Sequence, residues 1–323
     1  MSAKSAFIIA TFQNVESAKE TIVNLSQTVS EENYDVILVD DSGNMPEEPF
    51  KEFKNLKIFH NPKRMGVGYS LDFGVKQSQT DTCFILGDDI RFSGNWYDRF
   101  FAVAKSHPQS IISTVCAGLN PDRKVLTGKE NHYYASHVLF HVTTTNNRKA
   151  PLPFREYIEA KWNGKLQGDI VPVGCPLGAF YSISRDFWIK TRGFEGHKIW
   201  GTLEPLTVLR YYIAGGNCLI DCKTVTGHIF KTASSHKPVQ DLIYNKLLIA
   251  STLLPRDMEK EVYDWARKLN SGPMAIRMIE KDSALVSLLA GYGRESVKKF
   301  GSSNEWDEEQ LRTLIRPTGV LDP

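Results

Sequence analysis

Apolar residues come in short unbroken runs through the first third of the chain, and each run ends abruptly at polar residues. Phe7-Ile8-Ile9-Ala10 stops at Thr11, Val36-Ile37-Leu38-Val39 at Asp40-Asp41, and Phe84-Ile85-Leu86 at Gly87-Asp88-Asp89. Short apolar runs without alternation predict strands buried on both faces. Leu56 to Phe59 predicts another strand. Between them, Val15 to Val29 and Gly68 to Gln77 carry apolar residues at helical spacing, and Asn14 is placed to cap the first. Strand and helix in this alternation predict a mostly parallel sheet with helices on both faces. Ligands of such sheets bind beyond the carboxyl ends of the strands. Both acid pairs fall there.

The pattern then changes twice. Residues 117–170 read as polar and irregular, an insertion expected to shape a cleft. Apolar runs return at Val171 and continue to Ile229. Past Gln240 the spacing is helical, over Leu242 to Leu254, Arg256 to Leu269 and Ala275 to Leu289. The expected organisation is therefore a sheet domain over 1–240 and a helical region over 241–323. No repeat or low-complexity segment interrupts it.

Composition adds modest constraints. The 323 residues are 41% hydrophobic and 24% charged with a net charge of +2, which suits a globular protein and demands neither nucleic acid nor membrane. Charge is uneven locally. From Leu119 to Gly168 there are eight Lys and Arg against four Asp and Glu, including Arg123, Lys124, Lys129, Arg148 and Lys149. That stretch is either a solvated loop or a contact for a polyanion. The five cysteines are odd in number and mostly sit in apolar runs, as buried free thiols do. With no leader-like segment and no apolar run long enough for a membrane span, a soluble cytoplasmic protein without a membrane anchor is expected.

Two adjacent carboxylates repel unless a proton or a cation sits between them. A hard divalent cation holding a diphosphate is one economical partner for the acid pairs; an ordinary strand-to-turn junction is the other reading. Asn61-Pro62-Lys63-Arg64-Met65-Gly66-Val67-Gly68 lies before a helix, where a backbone loop can approach a phosphate. No Gly-Lys-Ser/Thr follows, so it is not a Walker loop.

The second half adds Gly174-Cys175-Pro176-Leu177-Gly178-Ala179-Phe180, Gly193-Phe194, Trp200-Gly201, Glu204, Arg210, Gly215-Gly216 and Gly227-His228-Ile229-Phe230-Lys231. In this order, the chain resembles GT-A glycosyltransferases, the polypeptide N-acetylgalactosaminyltransferases and the wider glycosyltransferase family 2 type. The resemblance covers about Ala6 to Ala250. It implies a GT-A fold, a Rossmann-like mixed and mostly parallel sheet flanked by helices, with a helical C-terminal region. It implies that Thr11, Asp40 and Asp41 line a uridine pocket and that Lys63 and Arg64 flank the nucleotide. Asp88 and Asp89 would form the metal motif, with Asp88 also at the nucleotide and His228 a further metal ligand. Lys231 and His236 would close over the diphosphate, and Trp200 would sit at the donor–acceptor boundary. The implied cofactor is Mn2+ or Mg2+ and the donor a UDP-sugar.

Two positions depart from the family pattern. Gly87 stands where relatives usually carry the first Asp of the acid motif. Glu204 falls where inverting relatives place a catalytic Asp, whereas the N-acetylgalactosaminyltransferases have a neutral Asn; Leu203 fills the place of their nearby Glu. Glu204 is thus the candidate general base, and inversion or retention stays open. The expected function is metal-dependent sugar transfer to an acceptor hydroxyl. The acceptor could be a hydroxymethylated DNA base, as in phage DNA glycosyltransferases, a glycan or a protein. A nucleotidyltransferase and a non-catalytic nucleotide-sugar-binding protein are the competing readings.

Overall fold

The computed structural model describes residues 4–144, 154–230 and 239–300. The chain begins as β1 (Ser5–Thr11), α1 (Val15–Thr28), β2 (Tyr34–Asp40), β3 (Leu56–His60), α2 (Val67–Gln77) and β4 (Thr82–Leu86), close to the expected bounds. A short β5 (Ile90–Phe92), α3 (Tyr97–Ser106), β6 (Ser110–Leu119) and β7 (Asn131–Tyr133) follow. Next come a hairpin of β8 (Ser136–Thr144) and β9 (Phe154–Trp162), then β10 (Ile170–Pro172), β11 (Phe180–Ser184), α4 (Arg185–Thr191), α5 (Leu203–Ile213) and β12 (Asn217–Ile229). The chain closes with α6 (Val239–Leu253), α7 (Arg256–Arg267), α8 (Gly272–Lys281) and α9 (Ser283–Phe300).

The main sheet runs β10-β12-β6-β11-β4-β1-β2-β3. β3, β2, β1 and β4 are mutually parallel, and β6 and β12 are parallel to each other. β11 lies antiparallel between β4 and β6. Two reversals restore direction, so β1, β2, β4, β6 and β12 all present their carboxyl ends at one edge. β5 doubles back at that edge, antiparallel to β12, with Ile90 opposite His228.

Side chains of a strand alternate between faces. Ala6 and Ile8, with Ile37, Val39, Cys83 and Ile85, join a core shared with α2, α5 and the helices from α6 onward. Phe7 and Ile9, with Val36, Leu38, Phe84 and Leu86, enter a second core under α1 and α3. The second is rich in aromatic rings, with Phe92 stacked on Trp96 at 4.2 Å. The sheet and the C-terminal helices thus complete one hydrophobic layer. The cysteines carry no disulfide; Cys83, Cys116, Cys175 and Cys218 are buried. Among the described residues no helix is long and apolar enough to cross a membrane.

The stretch over 117–170 is more ordered than its composition predicts. It holds the β8–β9 hairpin, whose Val138, Tyr157 and Ile158 are buried in the first core. Tyr157 and Ile158 are neighbours in sequence and both buried, so burial in β9 breaks the alternation that marks a strand.

Candidate active site

The site grows from the register of β5 on β12. Because Ile90 pairs with His228, the residue before it, Asp89, is carried to the imidazole, with its Oδ1 3.3 Å from His228 Nε2. The Ile229 N–H donates to the Asp89 carbonyl at 3.1 Å and fixes the approach. His228 Nδ1 is buried and has no hydrogen-bond partner among the described residues. A carboxylate oxygen and an imidazole nitrogen form a donor pair that suits manganese. Among the described residues no three His, Cys, Asp or Glu side chains gather as a metal cluster. Asp89 and His228 are the residues that would hold such a cation.

Asp88 is held twice. Thr11, at the end of β1, donates its hydroxyl to Asp88 Oδ2 at 2.7 Å, and Thr21 of α1 donates to the Asp88 carbonyl at 2.8 Å. Gly87 also has a physical reason. A Cβ there would stand 2.9 Å from Asp89 Oδ1, closer than such contacts allow, so a side chain would push the Asp89 carboxylate aside.

The other acid pair is differently placed. Asp40 is fully buried and accepts from Ser42 N–H and hydroxyl, Met45 N–H and His60 Nδ1. Burial raises its pKa, but these bonds outweigh burial and hold it below the ordinary value. Asp41 accepts from Asn61 Nδ2 at 2.9 Å, Met65 N–H at 2.7 Å and Gly66 N–H at 3.0 Å. It therefore anchors the loop that carries the exposed Lys63 and Arg64. The Arg64 guanidinium lies 4.3 Å from the Phe12 ring centroid, over the end of β1.

Glu204 lies in the first turn of α5, and its carboxylate packs on Gly178; a Cβ at 178 would lie 2.2 Å from Oε1. The next residue, Ala179, accepts the Gly87 N–H at 3.1 Å. Glu204 thus stands one residue from the strand contact that carries the Asp88–Asp89 turn. Burial pushes its carboxyl above the ordinary value. Trp200 is exposed on a loop that Asn245 of α6 clamps. Asn245 accepts the Lys198 N–H at 2.8 Å and donates to the carbonyls of Lys198, Trp200 and Gly201 at 2.9–3.1 Å. The Ile199 carbonyl of the same loop accepts the Val67 N–H at 3.0 Å, tying it to the Lys63–Gly66 turn. Lys231 and His236, like Arg148 and Lys149, lie outside the described residues.

Sequence reasoning missed a ring cluster beside His228. Tyr133 of β7 meets the exposed Trp162 of β9 edge-on at 4.1 Å, and Phe230 lies 5.8 Å from Tyr133 and 5.7 Å from Trp162. Phe230 also touches the His228 ring, with centroids 4.4 Å apart. Only Phe230 had a local signal, as the last ring of the Gly-His-Ile-Phe run.

Residues 6–162 match the model of glycosyl transferase family 2. Over those residues the chain is similar to that family, and its fold is GT-A. Polypeptide N-acetylgalactosaminyltransferase 3 of Taeniopygia guttata is 23% identical to it over 242 residues, covering 71% of this chain and 38% of that protein. A crystal structure of GalNAc-T7 with UDP, GalNAc and Mn2+ aligns with a TM-score of 0.65 at 14% identity, covering 91% of this chain and 55% of that one. The chain therefore spans well under two thirds of the length of either relative.

Proposed function

We propose that the protein transfers a sugar from a UDP-sugar to an acceptor hydroxyl. The observation that carries this reading is the meeting of Asp89 and His228 at 3.3 Å at the sheet edge, beside the Gly178–Glu204 contact. The related GalNAc-T7 structure holds UDP and Mn2+. A divalent cation at Asp89 and His228 would supply positive charge to the departing diphosphate. The acceptor oxygen would form its bond to the anomeric carbon as the bond to the diphosphate breaks and its electron pair leaves with UDP. Glu204 would take the acceptor proton, and the burial that raises its pKa makes it a stronger base. Thr11 orients Asp88. Lys63, Arg64 and Trp200 would border the donor, with Asp40 and Asp41 fixing the loops of its nucleotide end. Lys231 and His236 would complete the diphosphate end.

For the acceptor, the ring cluster supports a flat or ring-shaped group. Exposed Lys129, Lys161 and Lys165 near it in sequence favour an anionic polymer, so hydroxymethylated DNA is tested first, with glycans and peptides beside it. The test is a UDP-release screen of sugar nucleotides with Mn2+ and with each acceptor. Metal-dependent UDP release that rises with one acceptor class is expected. No release from any sugar nucleotide would overturn the reading in favour of a binding protein. Pyrophosphate from an NTP and a sugar phosphate would favour a nucleotidyltransferase.

A further inference from the structure

One face of α1 grips the acid turn from behind. Thr21 is fully buried and spends its single hydroxyl proton on the Asp88 carbonyl at 2.8 Å. Its lone pair accepts from Arg91 Nη1 at 3.0 Å, which fixes the direction of that hydroxyl. Arg91 is itself buried, donates also to the Ile90 carbonyl at 2.8 Å, and pairs through Nη2 with Glu20. Three residues on from Thr21, Asn24 brackets β5: its Oδ1 accepts the Phe92 N–H at 2.6 Å and its Nδ2 donates to the Phe92 carbonyl at 3.2 Å. So the same helix face holds the main chain on both sides of Asp89 and keeps β5 in register with His228.

Packing alone does not require this arrangement. A valine would fill the Thr21 space, and a buried guanidinium is costly to desolvate unless its neighbours make use of it. Two carboxylates side by side repel unless a proton or a positive charge compensates them, and a fixed cation behind them serves before any metal arrives. Arg91 lies near enough to both for their charges to act on it.

We infer that Thr21 and Arg91 are positioning residues for the cation-holding turn. Thr21 sets the Asp88 main chain, and Arg91 sets Thr21 while standing as a permanent positive charge behind Asp88 and Asp89. This rests on the reading that Asp89 and His228 hold a divalent cation with UDP. Neither residue touches substrate; both act through the turn. Groups behind the ligands of a metal commonly change its affinity about 10- to 100-fold when removed.

The test measures Mn2+ affinity directly, by electron paramagnetic resonance of free Mn2+ in the presence of UDP. Metal-free UDP affinity is measured by calorimetry as the control. Thr21→Val should weaken Mn2+ binding about tenfold or more and leave metal-free UDP affinity unchanged. Thr21→Ser, which restores the hydroxyl, should recover wild-type Mn2+ affinity. Arg91→Lys, which keeps the charge and loses the fork, should fall between wild type and Thr21→Val. A Thr21→Val protein that binds Mn2+ as wild type does would overturn the inference alone. So would equal losses of UDP affinity with and without metal, because those mark general damage. A wild-type protein that binds no Mn2+ with UDP would overturn the metal reading and this inference together.

Discussion

Carboxylates of identical chemistry do different work at this sheet edge because of what donates to them. Asp41 takes N–H groups from Asn61, Met65 and Gly66, so it is a hinge pin for a loop. Asp89 faces an imidazole, so it is placed to share a cation. The two should separate by mutation. Asp89→Asn should abolish manganese-dependent UDP binding and leave the urea midpoint near wild type. Asp41→Asn sets an amide N–H against backbone N–H groups and should cost about 1–3 kcal/mol of stability by urea titration. Glu204 makes a third case. A base must be ionised to accept a proton, and burial raises the pH at which Glu204 ionises. Activity should therefore fall as pH drops through a limb lying above the ordinary carboxylate range. Glu204→Gln should remove that limb and lower kcat about 10²–10⁴-fold, with donor affinity unchanged and an inverted product in the wild type. Retention of configuration, read by proton NMR of the first product, would rule out the base role. The sequence marked both acid pairs alike, since each ends a buried strand. What distinguishes them arrives from Asn61, Met65 and His228, which adjacency along the chain does not reveal.

At the scale of elements, the strands and helices up to Leu86 were legible because each apolar run is short and its ends are polar, whereas β5 and α3 were not expected. The β8–β9 hairpin was not legible, because Tyr157 packs against Trp265 of α7, from the far end of the chain. The continuous helical spacing from Ala275 to Leu289 also hid a break. Asp282 ends α8 and turns its carboxylate to Lys198 Nζ at 2.8 Å and to the Tyr244 hydroxyl at 2.9 Å. That break is a tertiary decision, made by α6 and the Trp200 loop. The same loop depends on Asn245, which is almost wholly buried. Asn245→Ala would leave the Lys198 N–H and the Lys198 and Trp200 carbonyls without this partner, while the Gly201 carbonyl keeps His197 Nε2. We expect a loss of about 2 kcal/mol or more in urea titration, and a raised donor KM as Trp200 is released. A donor KM equal to wild type would show that Trp200 does not border the donor.

For the whole molecule, the mostly parallel sheet followed from the alternation of strands and helices, and the GT-A fold from the family resemblance that the ordered motifs carry. The antiparallel entry of β11 between β4 and β6 did not, since nothing local in Phe180–Ser184 names its neighbours. The single core joining the sheet to α6 and the helices after it has a consequence that a chemist can time. Cys83, Cys175 and Cys218 lie in that shared layer, while Cys116 is buried elsewhere. Burial also pushes the Cys83 and Cys116 thiols up to about 12, so the reactive thiolate is scarce while the fold is closed. Each thiol is then a silent stopwatch that starts only when its part of the fold opens. If sheet and helices open as one unit, all four should take up an alkylating reagent at a common rate, followed residue by residue in a mass spectrometer. If the C-terminal helices lift away by themselves, Cys83, Cys175 and Cys218 should react first and Cys116 should lag.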